Sequence, residues 1–182
     1  MAQTDFKKAI KNHRAEYKQA FLMEKGAPLD SAGVQNIRFF RPKKAYQVEA
    51  SFTLLKNKEP FEMPTYDGKV QPYIAYGKLK FVLGRDSLEL TIYRSLRFLR
   101  MPMFRDKLFL PFKDQTNARS TYGGGRYLDF KIGDIHDGKL TLDFNKAYNP
   151  YCAFSDGYSC PIPPFENHLL VKVKAGEKAF RE

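Results

Sequence analysis

The clearest indication of the fold is the stretch Gly77-Lys-Leu-Lys-Phe-Val-Leu-Gly-Arg-Asp-Ser-Leu-Glu-Leu-Thr-Ile92. Hydrophobic side chains recur at every second position in residues 79–83, which is the spacing of a strand with one buried face. Gly84-Arg-Asp86 is typical of a tight turn, and the alternation resumes in residues 88–92. The stretch therefore predicts an antiparallel β-hairpin.

Other strands are predicted on both sides of this hairpin. Residues 46–54 alternate in the same way, and a turn is expected at residues 57–60. Four further short stretches have strand character: residues 108–112, 127–132, 139–144 and 169–174. Together they predict a mainly β protein whose antiparallel sheet forms a sandwich or a small barrel.

A helix is predicted before the first strand. From Thr4 or Asp5 to about residue 25, hydrophobic residues fall on one stripe, and Gly26-Ala-Pro28 ends the pattern. The stripe consists of Phe6, Ile10, Tyr17 and Phe21. We therefore expect an N-terminal helical segment, residues 1–28, packed on a single β-rich domain, residues 29–182.

The chain is strongly basic, with 31 Lys and Arg against 20 Asp and Glu, and a formal net charge of +11 at pH 7. These cations are spread along the chain without a long run or a recognisable nucleic-acid motif, so nucleic acid is not an expected partner. They are densest in residues 38–44 and in residues 94–105. No apolar run approaches the roughly 20 residues that cross a bilayer, so no transmembrane segment is expected.

Three consecutive glycines precede an arginine in Thr121-Tyr-Gly-Gly-Gly-Arg-Tyr-Leu-Asp129. Glycines permit positive φ angles and close backbone approach, so their N–H groups could form an anion-binding nest beside Arg126. A bulge, or a strand that crosses a bulky neighbour, explains the same glycines without a ligand. The predicted ligand-binding residues are Gly123, Gly124, Gly125, Arg126, Tyr127, Asn149 and Asn167.

The two cysteines, Cys152 and Cys160, enclose a seven-residue loop with a turn-forming Asp156-Gly157. A disulfide between them is the first interpretation, and it requires an oxidising compartment. A metal site with His168 and a carboxylate, or a nucleophilic cysteine with a nearby histidine base, are the alternatives. Because Cys-x7-Cys is not a standard zinc spacing, no metal is predicted.

Acid–base chemistry has four candidates near the same region: Asp129, Asp143, Glu166 and His168. Each also has a structural interpretation, because Asp143 can cap a turn and Glu166 can bind backbone donors. Their concentration in one third of the chain is the reason to expect a site there.

The sequence resembles the bacterial DUF1684 family, whose name records that its function is unassigned. The motifs that carry the resemblance are 108–114, 121–129, 143–154, 158–167 and 174–177. Phe61-Glu-Met-Pro-Thr65 and Tyr93-Arg-Ser95 are similar to a Bacteroidetes-type branch. Relatives usually have glycine at the position of Ala118. Because many relatives carry an export leader, the resemblance favours a periplasmic or exported protein over a cytoplasmic one.

These observations lead to three functional hypotheses. The first is a binding domain for a small anionic molecule at the glycine turn and the cysteine loop. The second is a hydrolase-like enzyme that uses the Asp, Glu and His candidates, and the third is a structural protein of the cell envelope. No residue pattern identifies a cofactor.

Overall fold

A computed structural model of the chain describes residues 2–56 and 59–180. Within these ranges the strands are β1 Gln47–Leu54, β2 Pro60–Pro64, β3 Val70–Leu83, β4 Asp86–Ser95, β5 Lys107–Phe112, β6 Arg126–Lys131 and β7 Lys139–Asp143. The helices are α1 Ala2–Met23, α2 Ser31–Gln35 and α3 Leu96–Leu99. Short 3₁₀ turns occur at Lys44–Tyr46, Ile132–Asp134, Phe144–Lys146, Tyr151–Ala153 and Phe165–Asn167.

The strands form one antiparallel sheet in the order β6-β5-β4-β3-β1-β7, with β2 paired to the first half of β3. The sheet curls into a half-barrel, and the segment after β7 returns to β6 through a bridge between Tyr148 and Tyr127. The predicted mainly β fold with an antiparallel, barrel-like sheet and an N-terminal helix is therefore confirmed.

The hairpin predicted from residues 77–92 is formed by β3 and β4. Leu83 pairs with Asp86, and Gly84 occupies the turn with a φ of +67°. Positive φ is strained for residues with a Cβ atom, so glycine suits this turn. The alternate residues of β3 and β4 are buried as their spacing predicted: Leu79 and Phe81 on one strand, Leu90 and Ile92 on the other.

The inner face of the half-barrel holds the main core. Leu108, Leu110 and Phe112 of β5 pack there with residues of β3, β4, β6 and β7. Burial of each large apolar side chain contributes about 1.5–3 kcal/mol relative to exposure. Leu169, Val173 and Ala175 from the C-terminal segment complete this core.

The strand predicted at residues 169–174 is wrong, because this segment does not join a ladder. Its backbone groups instead bond to a neighbouring loop and to side chains. Leu169 N–H donates to Lys113 O at 2.8 Å, and Val173 N–H donates to the Asp114 carboxylate at 3.1 Å. The segment thus packs on the half-barrel in irregular conformation, with these two buried residues bonded through their backbone N–H groups.

Helix α1 lies on a smaller core outside the half-barrel. Phe21 and the partly buried Tyr17 pack there with Val34 and Ile37 of the following segment. Phe21 also contacts the Phe154 ring edge-on, with ring centroids 5.4 Å apart. The predicted helical stripe is the face that packs, although the helix ends at Met23 rather than near residue 25.

None of the helices within residues 2–56 and 59–180 is long and apolar enough to cross a membrane. The turn predicted at residues 57–60 includes residues 57 and 58, which lie outside the described ranges.

Candidate functional site

Arg126 begins β6 with its side chain fully buried, at 0% exposure. Its guanidinium forms an ion pair with Asp114 at 2.8 Å and donates to the carbonyl oxygens of Val173 (2.9 Å), Ala175 and Glu177 (3.2 Å). Burial lowers the pKa of Arg126, and the Asp114 charge opposes that shift. All of these partners belong to the protein, and they tie β6 to the C-terminal segment.

The glycine turn is packed tightly against aromatic and proline side chains. A Cβ atom added at Gly124 would lie 2.3 Å from the Tyr122 ring, and one at Gly125 would lie 2.8 Å from Pro163 and 2.7 Å from Phe112 O. Gly125 also has a φ of +97°. The alternative interpretation of the glycines, close packing against bulky neighbours, accounts for these two positions. Binding of an anion by the turn stays a prediction.

Cys152 and Cys160 form a disulfide, with Cα atoms 6.3 Å apart. This confirms the first interpretation of the cysteine pair. Tyrosines beside the two cysteines connect the loop to the end of α1. Tyr158 donates to Gly26 O at 2.8 Å, and Tyr151 donates to the Glu24 carboxylate. The loop therefore fixes the C-terminal end of α1 on the domain.

The four acid–base candidates do not all meet in one site. Asp143 is buried and accepts hydrogen bonds from Asn145 N–H (3.0 Å) and the Gln47 side chain (3.2 Å). Glu166 accepts from the Tyr93 hydroxyl at 2.6 Å, and His168 Nε2 lies 3.1 Å from Pro163 O. Of the four, Asp129 and Asp143 line the same cleft, whereas Glu166 and His168 do not.

This cleft lies between α1 and the gap between the two end strands of the sheet, and its volume is about 1110 Å³. Helix α1 contributes residues at helical spacing, from His13 to Glu24. Residues 127–130 of β6 and Leu140, Thr141 and Asp143 of β7 also line the cleft, and residues of the disulfide loop complete the lining. The volume is slightly larger than the roughly 300–1,000 Å³ that small-molecule sites usually occupy.

Aromatic rings and carboxylates dominate the lining of the cleft. The ten aromatic residues are Tyr17, Phe21, Tyr73, Phe98, Phe109, Tyr127, Phe130, Tyr148, Tyr151 and Tyr158. Among the residues that the structure describes, the lining carboxylates are Glu16, Glu24, Asp129, Asp134 and Asp143, and the lining lysines are Lys107 and Lys146. The cleft is thus acidic in a protein whose formal net charge is +11.

Asp129 has an unusual environment in this cleft. Its Oδ2 accepts a 2.7 Å hydrogen bond from the Tyr148 hydroxyl, and its Oδ1 accepts none from the part of the chain that the structure describes. Solvent reaches the side chain through the cleft, but the walls remove much of the surrounding water, and this desolvation raises the pKa of Asp129. The Tyr148 hydrogen bond and the Lys107 charge oppose the rise in that pKa.

The family model described as a protein of unknown function, DUF1684, matches residues 32–178. The chain belongs to the DUF1684 family. The solved structures include a similar protein, an uncharacterized protein of Haloarcula marismortui determined by NMR in solution. It is 32% identical, the match covers 97% of this chain and 96% of that one, and the TM-score is 0.73. No curated protein matches the sequence.

Two of the predicted ligand-binding residues of this DUF1684 chain, Tyr127 and Asn149, line the cleft. The Tyr127 hydroxyl donates to Pro161 O, and the Asn149 side chain donates to Lys178 O at 2.8 Å. Asn167 is elsewhere: it is fully buried, and its side chain bonds to the backbone of Thr91 and Pro111. Gly123, Gly124, Gly125 and Arg126 also lie outside the cleft lining.

Two residues that the sequence reasoning missed are Tyr148 and Glu177. Glu177 is fully buried, and its Oε2 accepts from the Tyr17 hydroxyl (2.9 Å) and Asn149 N–H (2.8 Å). Burial raises the pKa of Glu177 to about 8. Tyr148 lies within the motif 143–154 and Glu177 ends the motif 174–177, but neither motif indicates which residues these two side chains contact across the fold.

Proposed function

We propose that this protein is a small-molecule binding domain whose ligand occupies the cleft between α1 and the two end strands of the sheet. The observation that carries the proposal is Asp129. One of its carboxylate oxygens is held by Tyr148, and the other accepts no hydrogen bond from the described residues while lying in an aromatic-lined cleft. Asp129 is exposed to the cleft, so this second oxygen is open to a hydrogen-bond donor on a ligand.

The chemical class that fits the lining is an organic cation with an apolar body, such as an aromatic or alkyl amine. An ammonium group would bind the Asp129 carboxylate, and the excess of carboxylates over lysines would favour its positive charge. The tyrosine hydroxyls of Tyr127, Tyr148 and Tyr158 already donate to protein acceptors. The rings therefore offer their faces, which attract cations, rather than their hydroxyls.

The small anionic ligand predicted from the glycine turn is not part of this proposal. Arg126, which follows that turn, is fully buried and already bonds to Asp114 and to three carbonyl oxygens. The hydrolase hypothesis loses support for a similar reason, because Glu166 and His168 lie outside the cleft that contains Asp129. A binding role at the cleft keeps Tyr127, Asn149 and the disulfide loop from the original prediction.

The test compares three probes of similar size that differ in charge: phenethylamine, 2-phenylethanol and 3-phenylpropionate. Their binding to the whole chain would be followed by changes in amide chemical shifts. We expect the amine to bind about tenfold more tightly than the alcohol, as one charge-assisted hydrogen bond implies. The shifted amides should belong to α1, β6 and the disulfide loop.

Two variants give this test its controls. Asp129→Asn keeps the shape of the side chain and should weaken amine binding about tenfold. Asp86→Asn removes the same charge from the exposed β3–β4 turn, outside the cleft, and should leave the affinity unchanged. The proposal fails if 3-phenylpropionate binds as tightly as the amine, or if both variants bind the amine equally well.

A further inference from the structure

The loop between β4 and β5, residues 96–106, exposes an apolar tip. Phe98 is 38% exposed, Met101 45% and Met103 83%. They lie within six residues of one another, with the exposed Pro102 between the two methionines. Neither the core of the domain nor the cleft explains why Met101 and Met103 face solvent, and contiguous exposed apolar side chains are typical of interaction sites.

Arginines surround this tip. Arg97, Arg100 and Arg105 are all exposed, and the only acidic residue within 96–106 is Asp106. Within the described residues, the ion pairs of the protein involve other side chains, and none includes these three arginines. Their positive charge is therefore available to an external partner.

The loop has a defined shape without a partner. Backbone hydrogen bonds from Met101 to Phe98 (3.0 Å) and from Phe104 to Met101 (2.9 Å) form consecutive turns. The Phe98 and Phe104 rings pack 5.6 Å apart, and the Lys107 ammonium lies 4.7 Å from the Phe104 centroid. A partner that binds the tip would meet a preorganised surface, which lowers the entropic cost of association.

We propose that residues 96–106 dock the protein onto a bilayer with anionic headgroups. At a membrane surface, Met101 and Met103 would enter the boundary between headgroups and acyl chains, while Arg97, Arg100 and Arg105 would bind lipid phosphates. A nucleic acid would use the same cations but would gain nothing from two exposed methionines. The combination of apolar tip and arginine rim is what favours a bilayer.

Sedimentation with vesicles tests this proposal on the whole chain. We expect binding to vesicles of phosphatidylcholine mixed with phosphatidylglycerol, and about a hundredfold weaker binding to phosphatidylcholine alone, since three cations near the surface each contribute about 1 kcal/mol. Met101→Ser with Met103→Ser removes the tip at constant charge, and Arg97→Gln, Arg100→Gln and Arg105→Gln together remove the rim. Both the methionine variant and the arginine variant should reduce severalfold the fraction of protein that sediments with the vesicles.

A matched control removes three exposed cations of α1 instead: Lys7→Gln, Lys8→Gln and Lys11→Gln. This variant should keep most of the binding, because the lost charges lie outside residues 96–106. Equal losses in the α1 and rim variants would overturn the proposal in favour of diffuse attraction by the net charge. Binding of duplex DNA that depends on the rim but not on the methionines would overturn it in favour of a nucleic acid.

A fluorescence measurement reports on the tip directly. The chain contains no tryptophan, so Met103→Trp places a single indole at the more exposed of the two methionines of the tip. Its emission should shift to shorter wavelength on addition of the anionic vesicles, and not with phosphatidylcholine vesicles. Unchanged emission in a sample that does sediment with the vesicles would show that another surface makes the contact.

Discussion

The Tyr148 hydroxyl donates a 2.7 Å hydrogen bond to Asp129, and this bond links the two ends of the curled sheet. Asp129 lies in β6, and Tyr148 follows β7, the strand at the other end of the strand order. The bond leaves one carboxylate oxygen of Asp129 directed away from Tyr148. Tyr148 therefore both closes the half-barrel and positions the acceptor on which the proposed ligand site depends.

Replacing Tyr148 with phenylalanine should raise the pKa of Asp129 further. Desolvation already raises this pKa, and the Tyr148 hydrogen bond is the largest effect that opposes the rise. Without the hydroxyl the charged form of the carboxylate loses a donor and becomes less favourable. The measurement is an NMR titration of the Asp129 side-chain carboxyl carbon in the wild type and in Tyr148→Phe.

Lys107→Met offers a comparison for that titration, because it removes the other group that lowers the pKa of Asp129. This substitution should also raise the pKa of Asp129, but by less than Tyr148→Phe does. An Asp129 that titrates at lower pH in Tyr148→Phe than in the wild type would contradict this account of its environment.

Glu177 should make the protein less stable as the pH rises. Its pKa is raised from 4.5 to about 8 in the folded state, mainly by burial, with Tyr17, Asn149 and Arg126 as its neighbours. Between these values the unfolded chain releases the proton while the folded chain retains it. The free energy of unfolding is therefore highest below pH 4.5, the pKa of Glu177 in the unfolded chain. It decreases progressively up to about pH 8, the pKa of Glu177 in the folded protein.

Glu177→Gln isolates this effect, because glutamine cannot ionise and its amide oxygen can still accept from Tyr17 and Asn149. The stability of the variant relative to the wild type should increase by about 1 kcal/mol per pH unit between pH 5 and 8. Urea unfolding at several pH values measures that difference. A difference that does not change with pH would mean that Glu177 ionises at its usual pKa in the folded protein.

A structural feature of this protein could be predicted from the sequence when the residues that determine it lie close together in the chain. The hairpin of β3 and β4 was predictable, because alternation and the Gly84 turn act over a few residues. The disulfide was predictable for the same reason, with a sequence separation of 8. The cleft was not, because it requires α1, β6 and the segment after β7 to meet, and that meeting depends on the curl of the whole sheet.

The contacts of Arg126 show why the candidate site could not be predicted from the sequence. Three glycines and an arginine indicated an anion site, but the groups that bind the guanidinium come mostly from carbonyl oxygens of residues 173–177, about fifty positions along the chain. Residues 169–174, which include Val173, were predicted as a strand, in which the carbonyl groups would bond to a neighbouring strand. The segment instead takes an irregular path, and the carbonyl oxygens of Val173, Ala175 and Glu177 accept from Arg126.

Replacing Arg126 with methionine should destabilise the fold by about 3–5 kcal/mol, because the buried Asp114 charge would lose its partner and three carbonyl groups would lose a donor. Arg85→Gln, at the exposed β3–β4 turn, should change stability by no more than about 0.5 kcal/mol. Urea unfolding of both variants checks this. A loss below about 1 kcal/mol in Arg126→Met would show that the buried pair contributes little to the fold.

Ala118→Gly should stabilise the protein. Ala118 has a φ of +60°, and its N–H donates to Thr121 O at 3.1 Å in the loop before the glycine turn. A residue with a Cβ atom pays about 1–2 kcal/mol in this left-handed region, which glycine avoids. Part of that gain is lost because glycine has greater freedom in the unfolded chain, so we expect a net gain of about 1 kcal/mol and a Tm higher by about 2–4 °C.

The opposite sign is expected for Ala9→Gly, an exposed position inside α1, where glycine costs about 1 kcal/mol relative to alanine. Thermal unfolding of the two variants thus separates local strain from the general effect of glycine on the unfolded chain. If both variants melt below the wild type, the strain at Ala118 is smaller than the entropy that glycine adds to the unfolded state. If only Ala118→Gly melts higher, the loop favours glycine at this position, which is the residue that the family resemblance led us to expect there.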